Sequence, residues 1–345
     1  MSRRGATLGV ALSLAGLLAL AGSQVRVPYV GLGPGPLYNT LGSTPQGRPL
    51  IVVPKDRDHP AGGELNLTTV NVYSELTLVD AVVKWFDGDY AVLPRDLIFP
   101  KGQSEQEANE ENEAAMVESQ DHAKTVALCE LGTPVTSRIV VSGLQDDGPA
   151  AKAGIAKDDQ IAEIDGRPVD SLCTLRRLTA LRKPGDTISV TVRRDGAERT
   201  FALRTGTAET GPDGRPLLGV QLEERDQKEP FPVTIAVDDV GGPSAGLMFA
   251  LGIYDRLTPG DLTGGNVIAG TGTIDDDGNV GAIGGIQQKL VAARAYGARW
   301  FLTPAGNYDT AAGARPDGLT LVKVATFKEA LAAVRAIAEG RTPAT

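Results

Sequence analysis

The feature that most constrains this chain is a run of small residues around one serine, Gly241-Gly242-Pro243-Ser244-Ala245-Gly246. A proline suits the first turn of a helix, because its missing N–H would have no partner there. The apolar residues that follow, up to Leu251, continue such a helix. Free N–H groups and the helix dipole at this end favour a negatively charged oxygen. We therefore expect a helix that begins at Ser244, and an oxyanion-binding turn formed by Gly242, Pro243 and Ala245.

A lysine, Lys289, follows Ser244 by 45 residues. If residues 286–296 form a helix, this lysine borders an apolar face made of Ile286, Leu290 and Ala293. Desolvation lowers the pKa of a lysine and allows the neutral amine to act as a base. Each residue alone also has a non-catalytic interpretation. Ser244 could simply cap a helix, and the stem of Lys289 could lie along apolar surface with its charged end in water. Together they predict a nucleophile, Ser244, and its general base, Lys289.

Other catalytic groups are scarce. The chain has two histidines and two cysteines, all upstream of Ser244: His59, His122, Cys129 and Cys173. A Ser-His-Asp arrangement would need a histidine from another domain, so a lysine base is the simpler choice. The sequence has no Gly-x-x-x-x-Gly-Lys-Ser/Thr phosphate loop, and Asp275–Asn279 lacks the later glutamate of a calcium loop. We expect no cofactor, no nucleotide and no metal, and a hairpin turn at Asp275–Asn279.

Further motifs around the serine and the lysine resemble the serine/lysine proteolytic domain of the Lon protease family, over residues 219–340. Thr271-Gly272 lies eighteen residues before Lys289, and Val280–Gly285 leads into the lysine helix. The resemblance implies peptide-bond hydrolysis, an α+β fold, a ring-shaped homo-oligomer and a Thr271 hydroxyl that orients the lysine. Many Lon proteins carry an acidic residue three before the serine, where this chain has Gly241.

Upstream, residues 128–205 show the order of elements of a bacterial PDZ domain, which they resemble. A strand at Ile139–Val141 precedes a short helix near Gly148–Ile155, a strand at Gln160–Ile164, an amphipathic helix at Leu172–Leu181 and a strand at Thr187–Val192. PDZ domains bind an extended peptide beside a strand edge. The expected groove consists of a loop at Leu131 and Gly132 and two walls, Ile139 on one side and Leu175 with Leu178 on the other. A PDZ domain that only packs against the protease is the alternative.

The N-terminus predicts export. Arg3 and Arg4 precede Ala6–Gly22, an uncharged stretch of 17 residues that would span roughly 25 Å as a helix. The basic flank favours a cytoplasmic N-terminus and a single-pass anchor, with the rest of the chain outside the cell. A signal peptide cleaved near Ala19-Leu20-Ala21 is the alternative, and would give a secreted protein.

Charge and composition limit the partners. The net charge of −9 argues against nucleic-acid binding.

Ser104–His122 holds seven acidic residues, and its apolar spacing predicts one long helix into the PDZ domain. Gly31–Pro36 is interpreted as a linker and Asn66–Val72 as a strand. The two cysteines of an exported chain could pair, but their separation does not follow from the sequence, and free thiols are the favoured expectation.

The whole order resembles the ATP-independent PDZ-Lon proteases of bacteria. We predict an α+β protein with an anchor (1–30), a membrane-proximal region with the acidic helix (31–127), a PDZ domain (128–206) and a Lon-type protease domain (207–340). Its expected function is ATP-independent cleavage of unfolded or tail-presented exported proteins, with substrates selected by the PDZ domain. The alternative is a non-catalytic PDZ adaptor with a Lon-like assembly domain.

Overall fold

The computed structural model describes residues 3–44, 46–60, 62–100, 102–206, 216–237 and 240–343, with residues 3–11 described by their backbone. The helices are α1 (Arg3–Gly22), α2 (Leu78–Phe86), α3 (Glu105–Glu130), α4 (Pro149–Ala153), α5 (Leu172–Ala180), α6 (Gly246–Arg256), α7 (Ile286–Tyr296), α8 (Tyr308–Gly313) and α9 (Phe327–Ala338). The strands are β1 (Tyr29–Asn39), β2 (Ile51–Val52), β3 (Glu64–Tyr73), β4 (Ala91–Pro94), β5 (Thr136–Leu144), β6 (Gln160–Ile164), β7 (Arg167–Pro168), β8 (Thr187–Arg194), β9 (Ala197–Arg204), β10 (Val220–Lys228), β11 (Thr234–Ile235), β12 (Val267–Gly270), β13 (Thr273–Ile274), β14 (Val280–Gly281), β15 (Trp300–Pro304) and β16 (Thr320–Val324). The predicted mixture of helices and strands is confirmed.

The chain forms two compact units that interleave in sequence. The first contains residues 1–52, 58–123 and 235–345, and the second contains residues 53–57 and 124–234. The predicted separate region over 31–127 is not observed as a unit of its own, because most of it belongs with the C-terminal part of the chain. The predicted boundary at residue 207 lies outside the described residues.

The first unit is built on a six-stranded sheet in the order β16-β15-β12-β3-β1-β4. Strand β12 runs parallel to β3 and to β15, whereas β1 is antiparallel to β3 and β4. Gly31–Pro36, expected to be a linker, lies within β1, where the register with β3 shifts between Pro34 and Leu37. The sheet therefore joins strands from both ends of the chain.

Helices α6 and α7 carry the motifs singled out in the sequence. Helix α7 has the predicted bounds, and its Ile286, Leu290 and Ala293 pack in the core with Phe301. It begins after Gly285, at φ +66°, where a Cβ atom would lie 2.7 Å from Val70 on β3. Helix α6 is buried along most of its length and begins at Gly246, two residues later than expected. The hairpin of β13 and β14 confirms the predicted turn between them.

The second unit contains a sheet in the order β10-β5-β6-β8-β9. Its core includes Ile139, Ile161, Leu175 and Val190, and helix α5 packs against β5 and β6. The strands and helices predicted for the PDZ domain are all present. The addition is β10, which pairs antiparallel with β5 and extends this unit beyond residue 206.

A disulfide joins Cys129, near the end of α3, to Cys173 in α5. The expectation of free thiols is therefore wrong. The Cα atoms of the two residues are 5.8 Å apart across 44 residues of sequence, a separation that sequence alone could not reveal.

The N-terminal segment forms α1, over much of the stretch predicted as an anchor. Within the described residues, no helix combines the length and the apolar character needed to cross a membrane. The predicted transmembrane anchor is therefore not supported. Residues 1–2, part of the predicted cytoplasmic tip, lie outside the described residues.

Candidate active site

Ser244 and Lys289 meet in the first unit. The Lys289 Nζ atom lies 3.1 Å from the Ser244 Oγ atom and donates a second hydrogen bond of 2.6 Å to the carbonyl oxygen of Thr68 on β3. Ser244 occupies the turn before α6, and Lys289 lies in the first turn of α7. Two helix starts and the central strand β3 thus bring a hydroxyl and an amine within hydrogen-bond distance.

The environment of Lys289 alters its protonation. Its side chain is only 2% exposed, as expected from its position beside the apolar face of α7. Burial disfavours the charged ammonium and lowers the pKa of Lys289 from 10.5 to about 8. A substantial fraction of the amine is therefore neutral at mildly alkaline pH, which is the form that can accept a proton.

Thr271 supports the site differently from the expectation. Its hydroxyl donates a hydrogen bond of 3.0 Å to the carbonyl oxygen of Ser244, which also accepts one from the Gly272 N–H at 2.9 Å. The group that accepts from the lysine is the Thr68 carbonyl, which sequence reasoning missed. Asn66–Val72 was recognised as a strand, but a backbone acceptor leaves no residue-type signal in a sequence.

The turn before Ser244 is held by its neighbours. Gly242 adopts φ +83°, a conformation that favours glycine, and its N–H donates to the carbonyl oxygen of Asn112 at 2.8 Å. The Ser119 hydroxyl donates to the carbonyl oxygen of Pro243 at 2.9 Å. Two residues of the turn predicted to bind an oxyanion therefore have no free N–H to offer. The Gly242 N–H is already hydrogen-bonded to Asn112, and Pro243 has no N–H group. The N–H groups of Ser244 and Ala245 remain as candidates.

The serine and lysine open onto a cleft of about 230 Å³. One wall is formed by residues of β1 and β3, and the other by the serine turn; the lining includes Pro36, Tyr38, Thr69, Val70, Asn71 and Ala245. The cleft therefore gives access to the serine and the lysine.

The predicted PDZ groove is not assembled as expected. Leu131 and Gly132 form the C-terminal turn of α3, where the Gly132 N–H donates to the carbonyl oxygen of Cys129. Ile139 is completely buried, and its strand β5 is paired on both edges, with β10 and β6. Leu175 is buried in the same core, with Leu178 half-buried against it. A peptide cannot add to an edge that already has a partner, so β5 is not the binding strand.

Strand β10 is the outer strand of this sheet. Among the described residues it has β5 as its only strand partner, which leaves its other edge open. Val220 and Leu222 on β10 and Leu178 on α5 are half-buried and pack against the core of the second unit. The alternation of Val220-Gln221-Leu222-Glu223 is the sequence signal that could have identified this strand.

Comparisons with known families agree with these two units. Residues 115–205 match the PDZ domain, and residues 235–333 match the Lon protease (S16) C-terminal proteolytic domain. The chain therefore contains a PDZ domain followed by a Lon-type proteolytic domain, and the latter match includes Ser244, Thr271 and Lys289.

Individual relatives match shorter segments. Lon protease 2 of Bacillus subtilis is 34% identical over 114 residues, which are 33% of this chain and 20% of that protein. A probable periplasmic serine endoprotease, DegP-like, of Halomonas elongata is 36% identical over 67 residues, 19% of this chain and 14% of that protein. The crystal structure of the PDZ domain of the SdrC-like protein from Listeria monocytogenes shows 24% identity and a TM-score of 0.23, covering 25% of this chain and 87% of that one. The chain thus spans at most about a fifth of the length of these two curated relatives.

Proposed function

We propose that this protein is a serine endopeptidase that uses Ser244 as nucleophile and Lys289 as general base. The observation that carries the proposal is the 3.1 Å separation of Nζ and Oγ, with the amine buried. A neutral amine that donates one N–H to the Thr68 carbonyl keeps its lone pair for the proton of the serine hydroxyl. The Lon-type match supports the same assignment.

The reaction follows from this geometry. Ser244 Oγ forms a bond to the carbonyl carbon of the peptide, and its proton passes to Lys289 Nζ. The tetrahedral oxyanion then collapses, and the leaving amine takes the proton from the lysine ammonium as the C–N bond breaks. Water attacks the resulting ester in the second half, gives a proton to Lys289 and releases the acid, and the ammonium returns the proton to Ser244.

Substrate selection is assigned to the PDZ domain. Among the described residues, the outer edge of β10 has no strand partner and can pair with an extended peptide, for which Val220, Leu222 and Leu178 provide an apolar wall. We infer that tails or unfolded segments of proteins bind there, and that the cleft beside Ser244 cleaves them.

The compartment and energy source are part of the proposal. The Cys129–Cys173 disulfide suits an oxidising, extracytoplasmic location, and one of the similar proteins is described as periplasmic. Hydrolysis is proposed to need no ATP, since the groups of the mechanism all come from the serine turn, α7, β3 and the backbone. A ring-shaped homo-oligomer stays a prediction from the family resemblance.

Incubation with an unfolded protein such as casein, without nucleotide, tests the proposal. Ser244→Ala and Lys289→Ala should each lower the turnover rate by about 10⁴-fold or more, and the double variant should be no worse, because the pair acts as one unit. Gln287→Ala, on the same helix as Lys289, is the matched control and should keep its activity. Substantial hydrolysis by either single variant would contradict the assignment, and tail binding without any cleavage would favour the adaptor.

A further inference from the structure

Helix α3 contacts the serine turn through two residues seven positions apart. The Asn112 carbonyl accepts the N–H of Gly242, and the Ser119 hydroxyl donates to the carbonyl of Pro243. Ser119 is 2% exposed, so this hydrogen bond is shielded from water. One turn later His122 Nδ1 lies 2.6 Å from Asp276 Oδ1 in the hairpin turn between β13 and β14. These hydrogen bonds hold α3 against the serine turn and against the hairpin between β13 and β14.

The hydrogen bond from Ser119 fixes the direction of a peptide group. In a trans peptide the carbonyl oxygen and the next N–H point in opposite directions, and the described residues contain no cis bond. Holding the Pro243 oxygen on the α3 side therefore directs the Ser244 N–H away from α3. In the same way, the bonds from Thr271 and Gly272 to the Ser244 oxygen direct the Ala245 N–H.

Both N–H groups adjoin the proposed nucleophile, Ser244. Within the described residues neither one donates to another backbone group, and Ser244 and Ala245 both line the cleft. Preorganised donors of this kind stabilise the oxyanion because they need no reorientation when charge develops.

We propose that Ser119 is a positioning residue for the hydrolysis: its hydroxyl, through the Pro243 carbonyl, aims the Ser244 N–H at the oxyanion of the tetrahedral intermediate. This inference rests on the proposed function of Ser244 and Lys289. The reacting group of the substrate is again a peptide carbonyl. The new element is a contribution of α3 to the oxyanion site, from a residue outside the segment that matches the Lon-type domain.

The test compares the full chain with Ser119→Ala, using a short peptide substrate and a peptide boronate. The Ser244 hydroxyl adds to boron with loss of its proton to Lys289, and no other bond breaks, so the adduct imitates the tetrahedral state. Ser119→Ala should lower kcat by about tenfold or more while KM changes by less than about twofold. Affinity for the boronate should fall in parallel with kcat, while the pH midpoint of kcat stays unchanged, because Lys289 is not touched.

Ser104→Ala is the matched control on the same helix. Among the described residues, the Ser104 hydroxyl bonds only with Glu107 in the first turn of α3, so this variant weakens the helix start without touching the serine turn. It should keep kcat and boronate affinity, and thermal unfolding should show both variants folded at the assay temperature.

Two results would overturn the inference, and they are distinguishable. If Ser119→Ala matches the parent in kcat and boronate affinity, or changes only together with Ser104→Ala, Ser119 has no positioning role although the peptidase assignment stands. If the parent binds the boronate no better than Ser244→Ala does, the proposed function fails and this inference fails with it.

Discussion

At the scale of single residues, the protonation of Lys289 determines how the site responds to pH. Its pKa of about 8, lowered by burial, places the change from ammonium to amine just above neutrality. An unfolded chain keeps a lysine protonated up to about 10.5. Between these two pH values the unfolded state therefore binds more protons than the folded state. The free energy of unfolding consequently increases as the pH rises from about 8 to about 10.5.

The turnover rate should accordingly rise with pH and level off above about 8. The neutral amine is the active form, so the turnover rate follows the fraction of Lys289 that is neutral. Lys289→Arg should be inactive at every pH in the assay, because a guanidinium does not release its proton there. Measuring kcat from pH 6 to pH 10 checks this, with circular dichroism at each pH. A flat profile, or an active arginine variant, would exclude lysine as the base.

At the scale of elements, local patterns were predicted and long-range pairings were not. The bounds of α7 and β6 follow from apolar spacing and from the glycines or turn residues beside them. The pairing of β12 with β3 and of β10 with β5 depends on contacts between segments far apart in sequence, for which one chain gives no local signal. The serine-lysine pair was accessible because its residue types are distinctive, whereas the Thr68 acceptor is an ordinary carbonyl.

The open edge of β10 yields a binding prediction. Leu222→Ala should weaken the binding of a tail peptide about tenfold, since it removes part of the apolar wall beside the edge. Gln221→Ala is the control, because successive side chains of a strand point to opposite faces. Fluorescence anisotropy with a labelled unfolded tail measures both. Equal affinity in Leu222→Ala and the parent would show that the peptide binds elsewhere.

At the scale of the whole molecule, the two units have separate cores. The disulfide lies entirely in the second unit, and the serine, the lysine and the groups that hold them lie in the first. Sequence order suggested consecutive domains, but the first unit takes strands from both sides of the PDZ domain. Composition shifts along a chain cannot reveal such an insertion, because the separated segments are each typical of a folded protein.

Replacing both cysteines by serine should destabilise the second unit by about 2–4 kcal/mol, the usual effect of removing a disulfide. Hydrolysis of a short peptide should remain near the parent rate, because the first unit keeps all of its groups. Differential scanning calorimetry combined with a peptidase assay measures the two effects. Loss of peptidase activity at a temperature where the first unit stays folded would show that its chemistry depends on the second.

The acceptor for Lys289 is supplied by Thr68, 221 residues earlier in the chain. During synthesis at about 5–20 residues per second, roughly ten to forty seconds separate the two positions. Only over the last 45 residues of this interval does the nascent polypeptide contain Ser244 without Lys289. The proposed active site is thus complete only after α7 has been made and has docked on β3.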